Sequence, residues 1–339
     1  MRLLPEHRLG REGRSAQGSR LVKAFSYAQV RNVDEAVRSV ASNPGATFIA
    51  GGTDLLNLMK DGAQSQDRLI DINSLPLADI RMRNGVLTIG ALARMTDVAA
   101  HPLVRGNFAM LSQALLASAS PQVRNMAAIG GNLLQRTRCG YYRDAGSSCN
   151  KRTPGSGCPA LEGENRGHAV LGGSDHCIAV NPSDLAVALL ALDATVVTNS
   201  RRIAFKELYQ LPGTTPHRET ALSHGELIVA VEVPMLNMKQ SYLKLRDRTT
   251  FEFAVVAVGG ALRMRGRVVQ DVRLAFGGVA TKPWRVLEAE NVLRGKPLTT
   301  ESMAAAADVV LRGAVARHGN AFKIELLKRA IPVILEDLR

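Results

Sequence analysis

The sequence predicts a two-domain α+β protein, and three observations carry that prediction. A chain of 339 residues exceeds what one hydrophobic core ordinarily organises, and an apolar content of 46% suffices for two cores. Up to Pro234 strands and helices alternate around two Gly-Gly turns. From residue 241 onward three strands are followed by three helices, the segregated order of an α+β domain, and Pro234 with "MLNMKQ" marks the boundary between the halves.

The elements follow in order. Residues 1–21 carry five arginines against Glu6 and Glu12, with no apolar stretch and no consecutive arginine pair, so they read as a disordered leader without an export signal. "AFSYAQV" (24–30) alternates as a strand, and "NVDEAVRSVAS" (32–42) repeats as a short amphipathic helix. An apolar strand at 46–50 runs into Gly51-Gly52 and then a helical stretch from Asp54. "RLIDI" and "VLTIGAL" read as strands, and 98–120 as helix ending before Pro121. After a second glycine turn in "NMAAIGGNLLQ" (125–135), "NPSDLAVALLALDA" is a helix opened by Ser183 or Asp184. "TVVT" and "ELIVAVEVP" (226–234) are strands. Strands at 241–246, 254–264 and 268–280 then lead into helices at about 284–294, 300–316 and 320–337.

Composition is that of a soluble globular protein with a formal charge of +13, a spread basic surplus that suits an anionic ligand or an acidic partner. Nucleic acid is disfavoured: aromatics are only 4%, and no recognition-helix, zinc-finger or aromatic-platform signature occurs. The longest apolar run, "LAVALLALDATVV" (185–197), is interrupted by Asp193 and is too short for a membrane span. Hydrolase and zinc-protease readings lack their G-x-S-x-G and H-E-x-x-H parts.

Each glycine turn ends a strand and continues as Gly-Gly and a small polar residue (Thr53 or Asn132), with Leu-Leu following at once in the second turn and after Asp54 in the first. One such turn is ordinary, but two can present bare backbone N–H groups to the two phosphates of a diphosphate. Neither matches the Rossmann or P-loop pattern. A side chain at Gly52 is expected to intrude where a phosphate sits. By default Asp184 is a helix cap, Lys244 a solvated strand charge and "LRDR" (245–248) a solvated basic face.

Cys139, Cys149, Cys158 and Cys177 are the only cysteines, separated by nine, eight and eighteen residues and without a C-x-x-C pair. Segment 139–177 holds eight glycines and few large apolar residues, so it cannot order itself around a core and needs a staple. Nearby Arg136, Arg138, Arg143, Lys151 and Arg152 would offset the charge of four thiolates. The residues leave open an iron–sulfur cluster, structural zinc, disulfides or free thiols.

"FIAGGTDLLNLMK", "AAIGGNLLQ", "PSDLAVALLALDA" and "YLKLRDR" occur in that order, and the set resembles the FAD-binding subunit of the molybdenum hydroxylases, the xanthine dehydrogenase family. The resemblance runs from Val22 to the C-terminus. The four-cysteine insert is absent from most of that family and is similar to the one in the FAD subunit of periplasmic aldehyde oxidoreductases, where it holds a [4Fe-4S] cluster.

The resemblance implies an FAD-binding domain of the p-cresol methylhydroxylase type, built from two α/β subdomains over 22–236 with the insert at 136–180. A C-terminal flavoprotein domain of antiparallel sheet and helices would follow over 237–339. Thr47, Phe48, Ile49, Ala50, Gly51, Gly52, Thr53, Asp54 and Leu55 would hold one side of the FAD diphosphate, and Ala128, Gly130, Gly131 and Asn132 the other. Asp184 would bond the cofactor, Ile228 would pack on it, and Lys244 would lie near its ring or phosphate. Ala128 stands where relatives often have Ser or Thr, so a hydrogen bond there must come from backbone. The four cysteines would ligate one [4Fe-4S] cluster.

The implied function is electron transfer within a heterotrimer. A molybdenum-cofactor large subunit oxidises the aldehyde, a [2Fe-2S] small subunit passes electrons on, and the FAD of this chain delivers them to an external acceptor. The chain alone would be inert on substrate, periplasmic if exported with a partner and otherwise cytoplasmic. The rival reading is a metal-stabilised nucleotide-binding module without redox activity.

Overall fold

In the computed structural model, which describes residues 22–339, three separate sheets divide the chain; the leader expected at 1–21 lies outside the described residues. The first sheet is small and parallel: β1 (Ser26–Gln29), β2 (Ala46–Ile49) and β3 (Arg68–Asp71), in the order β1-β3-β2. Its crossover helix, Val33–Ala41, starts where the Asn32 side chain accepts the Glu35 N–H, and it buries Ala36 and Val40 against the sheet.

The second sheet is antiparallel: β4 (Ile80–Arg83), β5 (Val86–Gly90), β6 (Thr195–Thr198), β7 (Arg202–Ala204) and β8 (Ile228–Pro234), in the order β4-β5-β8-β6-β7. The helix expected over 98–120 is three shorter ones, Met95–Ala100, Pro102–Asn107 and Ala109–Ala117. Pro102 sits at a first helical position and cannot continue the helix before it. Pro121 likewise opens the helix Pro121–Met126, with Ser120 capping it.

The third sheet, β9 (Lys239–Leu245), β10 (Val256–Arg265) and β11 (Val268–Gly277), is antiparallel in the order β11-β10-β9. "VAVGGAL" in β10 is apolar without alternation because both of its faces are buried. Val256, Val258 and Leu262 join the core under the C-terminal helices Leu287–Leu293, Thr300–Val310 and Phe322–Asp337. Ala257 and Ala261 turn the other way and join the core that surrounds the helix Asp184–Ala191.

That helix is buried at all eight positions, and glycine lets it lie close to the sheet: a Cβ at Gly277 would come within 2.5 Å of Val187 Cγ2. Gly277→Leu therefore overpacks the contact and should cost about 1–3 kcal/mol, read as a lowered thermal midpoint of the full chain. An unchanged midpoint would mean that the helix is free to move away from the sheet.

Candidate functional site

The first glycine turn leaves β2 and enters the helix Leu55–Lys60. Gly51 passes so close to the neighbouring chain that a Cβ would meet Met126 O at 2.0 Å, and Gly52 takes a left-handed φ of +69°. Both positions therefore demand glycine before any ligand is considered. The expectation that a side chain at Gly52 acts by blocking a phosphate changes accordingly, since it would first strain the backbone and crowd Leu56. The N–H groups of Gly51, Gly52 and Thr53 donate to no acceptor among the described residues, which fits a seat for anionic oxygens.

The second turn begins at Ala128 and runs into the short helix Ile129–Leu133. At Gly131 a Cβ would meet nothing within 4 Å, so this position faces open space. The two turns line one cavity of about 780 Å³. Thr47 to Leu55, Ala128, Gly130, Gly131, Asn132, Asp184 and Ile228 all border it, together with Leu227, Arg138, Phe251 and Phe253. Its size and its mixture of apolar walls with bare N–H groups suit a dinucleotide.

Two side chains expected to face a ligand are engaged elsewhere. Asn132 Oδ1 accepts from Ser183 Oγ at 2.7 Å, and its amide nitrogen lies 3.4 Å from Met95 Sδ. The Asp54 carboxylate accepts the Arg136 N–H at 2.8 Å and Arg143 Nη2 at 2.7 Å, with Arg138 Nη1 at 3.1 Å. Asp54 thus ties the first glycine turn to the cysteine insert.

Lys244 does not border the cavity; it stands behind Asp184. Its ammonium donates to Asp184 Oδ2 at 2.8 Å and to Ala117 O at 3.0 Å, and the two side chains are only 4% and 5% exposed. Asp184 also accepts from Tyr242 OH at 2.7 Å and Ser118 Oγ at 2.9 Å. Burial, reinforced by the neighbouring carboxylate, pushes the Tyr242 phenol well above its ordinary range, so it stays a donor. Asp184 is therefore more than a cap, and Lys244 is not solvated. Tyr242 was legible: it lies two residues before Lys244 on one strand, hence on the same face. Ser118, Phe251 and Phe253 carried no comparable signal.

All four cysteines border one small cavity with Tyr142, Lys151 and His168. None of them forms a disulfide among the described residues. The Ala179 N–H donates to Cys177 Sγ at 3.4 Å, and backbone N–H groups of Tyr141 and Tyr142 near Cys139, and of Ala160, Ile178 and Leu161 near Cys158, favour the charged form of those thiols. Donors of this kind suit thiolates, yet burial pushes the Cys139 and Cys158 thiols up and Cys177 up to about 11. No three His, Cys, Asp or Glu side chains among the described residues converge as ligands of one ion.

The insert is less coreless than its composition suggests. Tyr142 and Cys149 pack with Leu58 and Ala63, which come from outside it. Its cations are also spoken for: Arg136 and Lys151 pair with Glu219, Arg138 and Arg143 with Asp54, and Arg152 donates to the carbonyls of Tyr141, Tyr142 and Ser147. Buried cations need acceptors of their own, so only part of this charge is left to balance thiolates.

Two substitutions separate the parts of this site. Lys244→Met strands the Asp184 carboxylate and should cost about 3–5 kcal/mol, with much of the loss recovered in the double variant carrying Asp184→Asn; thermal unfolding of the full chain reads both. Gly131→Val adds a side chain into open space in a helix that tolerates valine slightly better than glycine. It should leave the thermal midpoint of flavin-free chain in place while weakening FAD binding tenfold or more, and unchanged FAD affinity would move the ligand away from this turn.

Comparison with known proteins agrees with this geometry. Residues 23–236 match the family model described as the FAD binding domain in molybdopterin dehydrogenase, and 241–328 match the CO dehydrogenase flavoprotein C-terminal domain. The aldehyde oxidoreductase FAD-binding subunit PaoB of Escherichia coli is 48% identical over 94% of this chain and 99% of its own. The glyceraldehyde dehydrogenase medium chain of Sulfolobus acidocaldarius is 27% identical over 82% and 83%. Among solved structures, carbon monoxide dehydrogenase from Hydrogenophaga pseudoflava superposes with a TM-score of 0.73 at 25% identity, covering 94% of this chain and 98% of that one. The chain belongs to the FAD-binding subunit family of the molybdopterin dehydrogenases.

Proposed function

We propose that this chain is the FAD-binding, electron-transferring subunit of a molybdenum-containing aldehyde oxidoreductase. One observation carries the reading from the chain itself: two glycine turns, far apart in sequence, border a single cavity, one with orphaned N–H groups and the other with an open glycine face. The 48% identical relative bears the name of an aldehyde oxidoreductase FAD-binding subunit, which supports the same assignment. No observation favours the redox-inert nucleotide module.

In this reading residues 22–236 form the FAD domain and 237–339 the C-terminal flavoprotein domain. The N–H groups of 51–53 and the 128–132 turn hold the diphosphate, and Thr47 to Ala50 with Leu55 wall one side. Asp184 bonds the cofactor, Ile228 packs on it, and Lys244 with Tyr242 fixes the Asp184 carboxylate rather than touching the ligand. When bound, FAD takes up a pair of electrons and releases them to an external acceptor. The chain keeps the cofactor in a cleft bounded by both domains, and substrate oxidation belongs to a molybdenum-cofactor large subunit reached through a [2Fe-2S] small subunit. Among the described residues no helix is long and apolar enough to cross a membrane, and export to the periplasm in company with a partner subunit is the location we favour.

We assign Cys139, Cys149, Cys158 and Cys177 to one [4Fe-4S] cluster. Wild-type full chain prepared without air should contain FAD, iron and acid-labile sulfide in the ratio of one FAD to one such cluster. Cys149→Ser should lose the iron and make 139–177 sensitive to protease while FAD stays. Colourless, zinc-containing protein, or cysteines mapped as disulfides, would overturn the cluster assignment; protein without flavin would overturn the function.

A further inference from the structure

Cys139 differs from the other three cysteines in what lies beyond it. It also borders a second cavity of about 610 Å³, between the insert and the C-terminal domain. That cavity shares Arg138, Pro182, Asp184 and Phe253 with the cavity of the glycine turns. Cys177 borders another cavity, of about 790 Å³, that shares Leu134, Gln135 and Arg136 with the cavity of the glycine turns, so both cysteines have neighbours on the FAD side, and among the described residues only Cys139 has a histidine nitrogen at hydrogen-bond distance from its sulfur. His168 borders both the cysteine cavity and the one of about 610 Å³, and its Nε2 lies 3.1 Å from Cys139 Sγ. His168 Nδ1 is buried without a partner, so the ring makes no competing bond that would draw it away from the sulfur.

We propose that His168 is a positioning and tuning residue for the cluster, donating an N–H···S hydrogen bond to the Cys139 thiolate. The inference rests on the assignment of the four cysteines to a [4Fe-4S] cluster. A thiolate only accepts, so the contact requires the proton on Nε2 and leaves Nδ1 as a bare acceptor, in keeping with its lack of a partner. Reduction of a cluster adds negative charge that is shared with its sulfurs, and a donor aimed at one sulfur stabilises the reduced form more than the oxidised one. Backbone N–H groups of Tyr141 and Tyr142 also lie near Cys139, and the histidine adds a donor supplied by a side chain. The consequence is a raised cluster potential. That is an arrangement for a cluster that exchanges electrons, whereas a staple alone needs no such donor.

The test compares full-length wild type, His168→Leu and His168→Gln, all prepared without air. Iron and sulfide content are measured, and the cluster midpoint potential is read by titration with dithionite followed by electron paramagnetic resonance. Leucine keeps bulk and removes the donor, and the glutamine amide restores an N–H. The expected result is full iron and sulfide in all three, a lower midpoint in His168→Leu and partial return in His168→Gln. A wild-type midpoint in His168→Leu overturns the proposal, as does loss of the cluster from both variants, which would make the side chain a structural support. Both of those outcomes leave the cluster assignment standing, whereas wild-type chain without iron sinks that assignment and this proposal together.

Discussion

A carboxylate and an ammonium sealed from water, Asp184 and Lys244, hold the junction on which the rest of the site depends. The pair joins the first turn of a wholly buried helix to a strand of the third sheet, with Tyr242 and Ser118 supplying further donors. A charge pair of this kind gains little over apolar packing and fails badly when one partner is lost. Its effect is therefore to fix geometry. Because Gly277 admits Val187 one helical turn after Asp184, steric approach and electrostatics agree on a single placement of the helix. That placement puts Asp184 in the walls of both the glycine-turn cavity and the one beside Cys139.

A second constraint, smaller but of the same kind, joins the cysteine insert to the first glycine turn. Asp54 stands at the start of the helix after that turn, and its carboxylate is taken up by the backbone of Arg136 and the side chains of Arg143 and Arg138. Arg143 also donates to the carbonyls of Thr137 and Arg136, so the stretch leading into Cys139 is braced from the FAD side. The insert and the first glycine turn thus meet at one side chain. Burial pulls the Arg138 guanidinium down to about 10, which still leaves it charged at neutral pH.

Much of this architecture was legible because local chemistry and tertiary structure agree. The strand, glycine turn and helix at 46–60 need Gly51 and Gly52 for backbone reasons alone, and apolar runs marked β8 and the C-terminal strands. The 98–120 region was misread because its apolar content is nearly continuous and hides the break at Pro102. Asp184 and Lys244 looked like a cap and a surface charge because a single sequence does not reveal that two polar residues sixty positions apart share one buried bond. The resemblance implies ligand contacts for Asn132 and Asp54, and nothing in the two turns announces Ser183 or the insert arginines as competing partners. His168 carried no signal, since isolated histidines are ordinarily surface residues, and only the fold sets it beside Cys139.

The central claim is that the two glycine turns seat a diphosphate, with the rest of the ligand lying along Asp184 and Ile228. Competition among nucleotides, measured by calorimetry on flavin-depleted full chain, tests it most directly, because FMN has the flavin ring without the diphosphate and ADP has the diphosphate without the ring. The diphosphate seat predicts that ADP competes with FAD and that FMN binds at least tenfold more weakly than FAD. FMN binding as tightly as FAD, with no competition from ADP, would contradict it.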